Sequence, residues 1–569
     1  MCLCDRTSSK RITVITVRRA TTSRCAANIE VVPPSSDTKS PVHRRATAAH
    51  FTETPAYDLP HKHKHVLSPP STMSVCPTDD RHVAVLAFPY GTHTAPLVNL
   101  VRRAAAEAPQ VTFSFFSTKR SNASVFATLN AETLDNIKPY DVEDGLPDNY
   151  VPSGNPQDPV EYFVKAMPAN YRTAMDEAVS QTGRHITCLV SDAFLWFCAD
   201  MADEMHAKWV PLWTAGPHTL LAHIAAHEIR EKLGPHGVRE DREVDFLAGF
   251  SGIKASSLPE GLTTEPEDPF SYMLDKMGDA LPRATAVAIN SFTEVHIPIV
   301  QHLQTRLHLV LNIGPFILTM PQSVTPDDEG CLPWLNKQKE GSVVYISFGS
   351  VIIPPQDELV ALAEALEEGK YPFIWAFRGN PEKELPQGFL ERTKTQGKVV
   401  GWAPQMQILR HQAVGVCMTH GGWNSLLDCI VGGVPLISRP FFGDQTLNTA
   451  TIEHVWEIGV GIENGVFTKE STLKVLESIM STEKGKMMLQ KIVELKDSAI
   501  AAAGPEGEST KNYCTFSDII TASSYERVHP KHQHGFRGIR NKIAGAFAVA
   551  RHRFARHHHH HNNNNNKTH

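Results

Sequence analysis

Short apolar runs alternate with helical stretches over about 440 residues of this 569-residue chain. The first run, His82–Phe88 (HVAVLAF), is followed by a loop and a helical stretch from Pro96. Strand–loop–helix alternation is typical of α/β proteins, and it predicts doubly wound parallel sheets with ligands in the loops after the strands. The later predicted strands are Ile186–Val190, Ala286–Ile289, Ser342–Phe348, Phe373–Phe377, Lys398–Val400, Val414–Thr419 and Val434–Ile437.

A Pro- and Asp-rich stretch, Pro315–Asp328, splits the alternating region into two similar halves. We therefore predict two domains facing a cleft, residues 73–316 and 331–523, joined by a linker over residues 317–330. Residues 1–72 lack periodicity and are predicted to be a disordered leader, although their few acidic residues also fit an organelle transit peptide. Residues 524–569, which contain five consecutive His and five consecutive Asn near their end, are predicted to be a low-complexity basic tail.

Composition and charge exclude several classes of protein. Hydrophobic residues make up 41% of the chain, which is typical of a globular protein. No stretch approaches the roughly 18 uninterrupted apolar residues of a membrane helix, so stable membrane insertion is not expected. The two predicted tails carry net charges of +6 and +8, which leaves −20 for residues 73–523. An acidic body argues against nucleic-acid binding, and the basic tails are interpreted as solvated segments rather than as arms for nucleic acid or anionic membranes.

The ten cysteines are thinly spread. No C-x-x-C pair occurs, and several cysteines lie in apolar runs such as 187–197, where a thiol acts as a small buried hydrophobe. This usage predicts a reducing, cytoplasmic location.

The stretch from Trp402 to Gln445 reads WAPQMQILRHQAVGVCMTHGGWNSLLDCIVGGVPLISRPFFGDQ. A predicted strand ends there at a Gly-Gly turn, and a helix is expected to begin near Asn424 or Ser425. Glycines let backbone amides approach a ligand, and a helix N-terminus favours anions. With donors from His420, Asn424 and Ser425, the residues by themselves predict a pyrophosphate site, although many Gly-Gly turns are merely tight turns.

This stretch resembles the signature box of plant UDP-dependent glycosyltransferases of family 1, in length and at nearly every diagnostic position, and the likeness extends over about residues 80–520. The resemblance implies a GT-B fold of two Rossmann-like domains, with the donor in the C-terminal domain and the acceptor in the N-terminal one. It implies UDP-glucose and a small phenolic acceptor as partners, no cofactor and a monomer. The implied donor contacts are Trp402 on uracil, Ala403 and Gln405 at its edge, Ser350, His420, Asn424 and Ser425 on the diphosphate, and Thr214, Trp423, Asp444 and Gln445 at the sugar.

One position departs from the family pattern. The residue that matches the family's ribose-binding glutamate is Asp428, whose carboxylate is one methylene shorter. The ribose contact is therefore expected to be longer or mediated by water, with weaker donor binding. Gln445 resembles the residue of glucose-using members, whereas galactose users often carry His there, so UDP-glucose is the expected donor.

Two polar residues follow strands of the N-terminal half and match the family's catalytic pair. His93 lies in the loop after His82–Phe88, and Asp192 follows Ile186–Val190. A histidine acts as a base near neutral pH, and a carboxylate on its other nitrogen fixes the tautomer. The resemblance implies inversion by a single displacement, in which His93 deprotonates the acceptor hydroxyl. No D-x-D motif occurs in the chain, so we expect the reaction to need no metal.

The acceptor is suggested by a closer resemblance, to the subgroup that acts on the 3-hydroxyl of flavonols and anthocyanidins. The matching stretches include 213–217 (WTAGP) and 439–445 (RPFFGDQ). Aromatic walls with a few polar anchors suit a flat polyphenol. The positions that line the acceptor pocket in that subgroup are Gln157, Phe194, His223 and Phe442 here.

Other functions remain open from the sequence. The donor sugar or the lipophilic acceptor can differ from glucose and a flavonoid, and an epimerase or hydrolase of similar architecture is a second class. A catalytically weak UDP-sugar-binding protein is a third, because Asp428 departs from the family pattern.

Overall fold

The computed structural model describes residues 80–127, 134–151, 158–321, 325–349 and 352–522, all within the compact unit Val75–His569. These residues form two parallel sheets with strand orders β3-β2-β1-β4-β5-β6-β7 and β10-β9-β8-β11-β12-β13, flanked by helices. The prediction of an α/β fold with two doubly wound parallel sheets is confirmed.

The first sheet has seven strands and lies N-terminal to the predicted linker. Its strands are β1 (His82–Leu86), β2 (Thr112–Thr118), β3 (Ile137–Val142), β4 (Cys188–Asp192), β5 (Lys208–Trp213), β6 (Val287–Ile289) and β7 (Val310–Asn312). Its helices are α1 (Thr94–Glu107), α2 (Lys119–Ala127), α3 (Asp158–Thr182), α4 (Cys198–Glu204), α5 (Pro217–Ile224), α6 (Ala226–Arg239), α7 (Pro269–Ala280), α8 (Ile297–Arg306) and α9 (Phe316–Thr319).

The second sheet has six strands. They are β8 (Val343–Ser347), β9 (Phe373–Ala376), β10 (Gly397–Val400), β11 (Val414–Thr419), β12 (Leu436–Ser438) and β13 (Gly459–Gly461). The helices of this half are α10 (Cys331–Leu335), α11 (Gln356–Gly369), α12 (Pro381–Glu384), α13 (Phe389–Thr393), α14 (Gln405–Leu409), α15 (Trp423–Gly432), α16 (Gln445–Ala450), α17 (Lys469–Met480), α18 (Glu483–Ala503) and α19 (Glu508–Thr521).

Both faces of each sheet are buried, which explains why the central strands read as continuous apolar runs. In β1, Val83 and Val85 pack against α1 on one face, whereas Ala84 and Leu86 pack into a second core on the other. The second sheet is also covered on both sides, by α15 and α18 on one face and by α11 and α17 on the other.

The last described helix, α19, packs against the first sheet rather than the second. Tyr513, Phe516 and Ile520 belong to the same core as β1 and α1. The carbonyls at the C-terminal end of α19 accept hydrogen bonds from Lys208 and Arg81, which also complement the negative end of the helix dipole. The chain thus returns to its first half after completing the second, a contact that the sequence did not indicate.

Strand order places the loops that matter for binding. In the first sheet the order reverses between β1 and β4, and in the second between β8 and β11. Such a reversal opens a crevice beyond the carboxyl ends of the two strands. His93 follows β1 and Asp192 ends β4, whereas the Gly-Gly turn follows β11.

The strand predictions differ from the structure mainly at short or less apolar elements. β11 has the predicted bounds, whereas the run at 434–437 is shifted to β12 (Leu436–Ser438). Five strands were not predicted, and two of them, β7 and β13, have only three residues, too few for a periodicity to be visible. The predicted leader, the whole of the predicted tail, Gln157 and Ser350 lie outside the described residues, and the predicted domain boundaries stay a prediction.

None of the described helices combines the length and the apolar character needed to cross a bilayer.

Candidate active site

His93 and Asp192 meet at the strand-order reversal of the first sheet. His93 directly precedes α1, and its loop is tied back by Thr94, whose hydroxyl donates to the Phe88 carbonyl at 2.9 Å. Asp192 is the last residue of β4 and is 1% exposed. The His93 Nδ1 lies 2.8 Å from Asp192 Oδ2, so the two predicted catalytic residues form a hydrogen-bonded pair.

Both oxygens of Asp192 have partners, which fixes the carboxylate. Oδ1 accepts a hydrogen bond from the backbone N–H of Phe194 at 2.9 Å, while Oδ2 faces His93. Because a carboxylate only accepts, the neutral imidazole carries its proton on Nδ1 and leaves Nε2 as a base. The Thr214 hydroxyl lies 3.4 Å from the same Nδ1.

The electrostatics of the site favour the imidazolium. Burial by itself lowers the pKa of His93, but the charge and hydrogen bond of Asp192, together with the charge of Asp444, outweigh it and raise the pKa above its ordinary value. Asp444 belongs to the second half of the chain, so a carboxylate from each half acts on this imidazole. Burial raises the pKa of Asp444, against the opposing effects of Asn448 and His93.

Aromatic rings surround the pair on the acceptor side. Phe194 lies 4.4 Å from the His93 ring between centroids, and Phe88 contacts both at 5.3–5.4 Å. His223 is buried on α5, 5.9 Å from the Trp213 ring, and burial lowers its pKa to about 4, so this imidazole is neutral at physiological pH. The geometry provides an apolar wall beside the base, with His223 as a neutral polar group behind Trp213.

In the turn after β11, glycines allow the backbone to lie close to the His420 ring. Gly349 and Gly422 flank the ring of His420: a Cβ at Gly349 would lie 2.8 Å from the imidazole, and one at Gly422 would clash with Nε2. Burial lowers the pKa of His420 to about 4, so it can donate a hydrogen bond to an anion but brings no charge. Asn424 and Ser425 are the second and third residues of α15, where backbone N–H groups lack helical partners.

The predicted base and ribose contacts are linked to each other. Trp402 is 65% exposed, while Ala403 is buried. The Gln405 amide donates to Asp428 Oδ2 at 2.7 Å and accepts from the Tyr345 hydroxyl at 3.2 Å. Burial raises the pKa of Asp428 to about 6, with the Gln405 hydrogen bond opposing it. The shorter carboxylate is therefore held by the neighbouring predicted ligand, a contact that the sequence did not indicate.

The loop from Arg439 to Asp444 is rigidly held. The Arg439 guanidinium forms a bidentate pair with buried Glu358 of α11. Gln445 Oε1 accepts hydrogen bonds from the backbone N–H groups of Phe441 at 2.8 Å and Phe442 at 3.3 Å. Because those donors fix Oε1, the Nε2 of Gln445 is left to donate elsewhere.

Asp444 and Phe442 differ in their exposure. Asp444 Oδ2 accepts from Asn448, one turn later in α16, at 2.8 Å. Phe442 is 44% exposed at the tip of the same loop. The loop thus presents one exposed aromatic ring and, two residues later, one half-buried carboxylate.

Trp423 lies in the interface between the two halves. Its ring packs on Gly216, where a Cβ would lie 2.8 Å away, and its centroid is 6.0 Å from that of Trp456. Its Nε1 donates to the backbone carbonyl of Asn290 at 2.8 Å. The indole N–H of Trp423 is thereby taken by Asn290 and is not free to donate to a sugar.

Asn290 is a site neighbour that the sequence analysis missed. It directly follows β6 and bonds to both Trp423 and Asn424. A signal like the one that selected His93 and Asp192, a polar residue in the loop after an apolar run, was present at Asn290.

One group of potential metal ligands occurs among the described residues, away from the paired His93 and Asp192. His227, Asp275 and Asp279 have ligand atoms within 4.8 Å of one another on the surface of α6 and α7. Arg230 donates to Asp275 at 2.6 Å and contacts His227, so a guanidinium already pairs with one of the two carboxylates.

Comparisons with known proteins agree with this arrangement. The family model described as UDP-glucoronosyl and UDP-glucosyl transferase matches residues 123–501. A flavonoid 3-O-glucosyltransferase of Medicago truncatula is 59% identical over 441 residues, 78% of this chain and 97% of that protein. An anthocyanidin 3-O-glucosyltransferase of Vitis vinifera is 50% identical over 447 residues, 78% of this chain and 98% of that protein.

A solved structure is also similar. The crystal structure of a UDP-glucose:anthocyanidin 3-O-glucosyltransferase in complex with UDP has a TM-score of 0.74 and 36% sequence identity, and the match covers 78% of this chain and all of that one. The predicted two-domain architecture agrees with this neighbour.

Proposed function

The chain belongs to the UDP-glucoronosyl and UDP-glucosyl transferase family, and we propose that it transfers glucose from UDP-glucose to the 3-hydroxyl of a flavonoid. The observation that carries the proposal is the His93–Asp192 hydrogen bond at the strand-order reversal of the first sheet, with Asp444 of the second half acting on the same imidazole. A base and a sugar-binding carboxylate then act on one reaction centre from opposite halves of the chain.

The mechanism is a single inverting displacement. His93 Nε2 takes the proton of the acceptor hydroxyl as its oxygen bonds to the anomeric carbon, and the bond from that carbon to the diphosphate breaks with its electron pair leaving on UDP. Asp192 stabilises the resulting imidazolium through Nδ1. The donors at the start of α15 stabilise the leaving diphosphate by hydrogen bonds in a preformed site, with His420 contributing a hydrogen bond and no charge.

Donor recognition is assigned mainly to residues around the second sheet. Exposed Trp402 stacks on uracil, with Ala403 and Gln405 at its edge, and Asp428 accepts from the ribose. Gln445 donates through Nε2 to the sugar hydroxyls, since its Oε1 is held by two backbone N–H groups. Asp444 accepts from another sugar hydroxyl, and Thr214 borders the sugar beside His93.

Acceptor recognition is assigned to the aromatic side chains beside His93 and to their neighbours. Phe194 is placed to stack against a flat ring, and Phe442 on the opposite loop is exposed enough to cover it. His223 supplies a neutral polar group. The two related enzymes reported above carry flavonoid and anthocyanidin in their names, which supports a polyphenol acceptor.

The proposal is tested by incubating the protein with UDP-glucose and quercetin and analysing the products by mass spectrometry and NMR. We expect a product heavier by one hexose, joined at the 3-hydroxyl with the anomeric configuration inverted. UDP release without that product indicates hydrolysis, and UDP binding with neither indicates a binding protein; both outcomes contradict the proposal. A parallel reaction with UDP-galactose measures the preference assigned to Gln445.

His93→Ala tests the base directly. Loss of general-base catalysis should lower turnover about 10²–10⁴-fold, while UDP binding stays nearly intact because the proposed contacts of uracil, ribose and diphosphate lie on the second half. His227→Ala, at an exposed position on α6, is the matched control. Turnover of the His93 variant within a few-fold of the unchanged protein would remove His93 as the base.

Metal independence is part of the proposal and rests on the chain itself. No D-x-D occurs, and the diphosphate is assigned to the start of α15 with His420, Asn424 and Ser425. Activity should survive EDTA. Activity that EDTA abolishes and Mg²⁺ restores would contradict this part.

A cytoplasmic location is proposed from the cysteines. Among the described residues, all six cysteines are free thiols, and five of them are buried. Free thiols persist in reducing compartments. The expected monomeric state stays a prediction.

A further inference from the structure

Asn290 joins three segments that meet between the two halves of the chain. It follows β6 and is 3% exposed. Its Oδ1 accepts from the backbone N–H of Phe316 at 2.9 Å, at the start of α9 just before the predicted linker. Its backbone carbonyl accepts from Trp423 Nε1, and its Nδ2 donates to Asn424 Oδ1 at 3.3 Å.

These contacts determine which way the Asn424 amide faces. A backbone N–H can only donate, so the Phe316 contact requires the oxygen of the Asn290 side chain. The Asn290 nitrogen must then face Asn424, and only the Asn424 oxygen can accept from it. The Asn424 Nδ2 is consequently turned away from Asn290. Its orientation is set, through Asn290, by the backbone N–H of Phe316, which can only donate.

We propose that Asn290 is a positioning residue that orients Asn424 so that its Nδ2, and not its Oδ1, faces the donor diphosphate. The inference rests on the proposed function, in which Asn424 is a diphosphate ligand. An amide nitrogen attracts a diphosphate, whereas an amide oxygen repels it, so the sense of one side-chain amide decides the sign of the contact. Asn290 therefore supports donor binding from the acceptor-binding half.

The Trp423 contact strengthens the coupling. With its indole packed on Gly216 and bonded to Asn290, the first turn of α15 is held against the first sheet. Asn424 is the next residue, so little freedom remains for its side chain to compensate when Asn290 changes.

Asn290→Asp reverses the arrangement with little change in size. The carboxylate still accepts from Phe316, but its second oxygen now faces Asn424, whose amide must turn to donate to it. Asn424 then presents Oδ1 to the diphosphate. At about pH 8, where a carboxylate is ionised, we expect UDP to bind about 10- to 100-fold more weakly, the effect of losing a hydrogen bond to a charged group.

The ratio of UDP affinity to uridine affinity is the readout that a merely structural role of Asn290 would leave unchanged. Uridine has the base and ribose of UDP but no phosphate, so its affinity should stay within about twofold if Asn290 acts through Asn424. Titration calorimetry of UDP and uridine is therefore performed on N290D, N424A and the double variant. In the N424A background, N290D should cause no further loss of UDP affinity.

Asn312→Asp is the matched control. Asn312 ends the neighbouring strand β7, is 2% exposed, and donates to Thr293, and its hydrogen bonds to described residues do not involve α15. The Asn312→Asp substitution places an additional carboxylate at the same sheet edge and should leave the ratio of UDP to uridine affinity unchanged. If N290D does not fold, Asn290→Ala makes the same comparison, with an expected loss of about threefold because the Asn424 amide is freed rather than reversed.

The outcomes separate the two claims. If N424A lowers UDP affinity and N290D does not, or if N290D weakens uridine as much as UDP, the inference is wrong and the proposed function stands. An N424A variant with unchanged UDP affinity removes Asn424 from the diphosphate site and overturns the inference with that assignment. An unaltered protein that binds no UDP overturns the proposed function itself.

Discussion

Replacing Asp192 with Asn should disable the catalytic base while leaving the shape of the site unchanged. In the structure, the Phe194 N–H donates to Asp192 Oδ1 and His93 Nδ1 contacts Oδ2. An asparagine must keep its oxygen toward the Phe194 N–H, so its amide nitrogen faces His93. The imidazole must then accept at Nδ1 and carry its proton on Nε2, the atom that has to receive the acceptor's proton.

The expected loss can be worked out from the geometry. An imidazolium and a carboxylate whose charge centres are about 4 Å apart interact by about 4 kcal/mol at the effective dielectric constant of partly buried sites. Losing that stabilisation corresponds to about 10³-fold in rate, and the wrong tautomer adds to it, so turnover should fall about 10³–10⁴-fold.

The assay is turnover of UDP-glucose and quercetin as a function of pH. Catalysis needs neutral His93, whose pKa is raised, so the activity of the unchanged protein should fall as the pH drops through a value above 6.5. In the Asn variant the acid limb, the fall of activity toward low pH, should shift to lower pH. The carboxylate that raises the pKa of His93 is then gone.

A second variant and a binding measurement serve as controls for the Asp192 variant. Asp200→Asn, an exposed position that pairs with Arg283, should have normal turnover. UDP affinity of the Asp192 variant should match that of the unchanged protein. Turnover within about tenfold of normal, or an unshifted acid limb, would refute the reasoning.

Two further predictions concern the donor half. Because burial raises the pKa of Asp428 to about 6, UDP-glucose should bind more weakly as the pH falls through about 6 and the carboxyl protonates; calorimetry should show a flat profile for Asp428→Asn, and a slope unchanged by that substitution would contradict the ribose contact. Arg439→Met leaves buried Glu358 with the Phe467 N–H but no cation, and should lower the free energy of unfolding by about 3–5 kcal/mol in urea titrations. Adding Glu358→Met should restore most of that loss, because no unpaired carboxylate then remains buried. A double variant no more stable than the single one would contradict this explanation.

Much of the fold and of the site was predictable because the central strands and their loops carry strong local signals. β1, β4, β8 and β11 are buried on both faces, so they read as apolar runs, and the order of strand and helix predicted parallel sheets. His93 and the Gly-Gly turn were found in the loops after such runs. The three-residue strands β7 and β13 were missed because their pairing partners, and not their own pattern, make them strands.

The sequence alone determined the chemistry available: a histidine base, a carboxylate, an anion-binding turn and the 402–445 box that identifies the family. Only the tertiary structure decided how those groups are oriented. The bonds from Asp192 to His93, from Gln405 to Asp428 and from Asn290 to Asn424 join residues 23 to 134 positions apart. Hydrogen bonds over such separations depend on strand order and on the meeting of the two halves, which no local pattern encodes. For this reason the sense of each amide and the tautomer of the base could be assigned only in the folded chain.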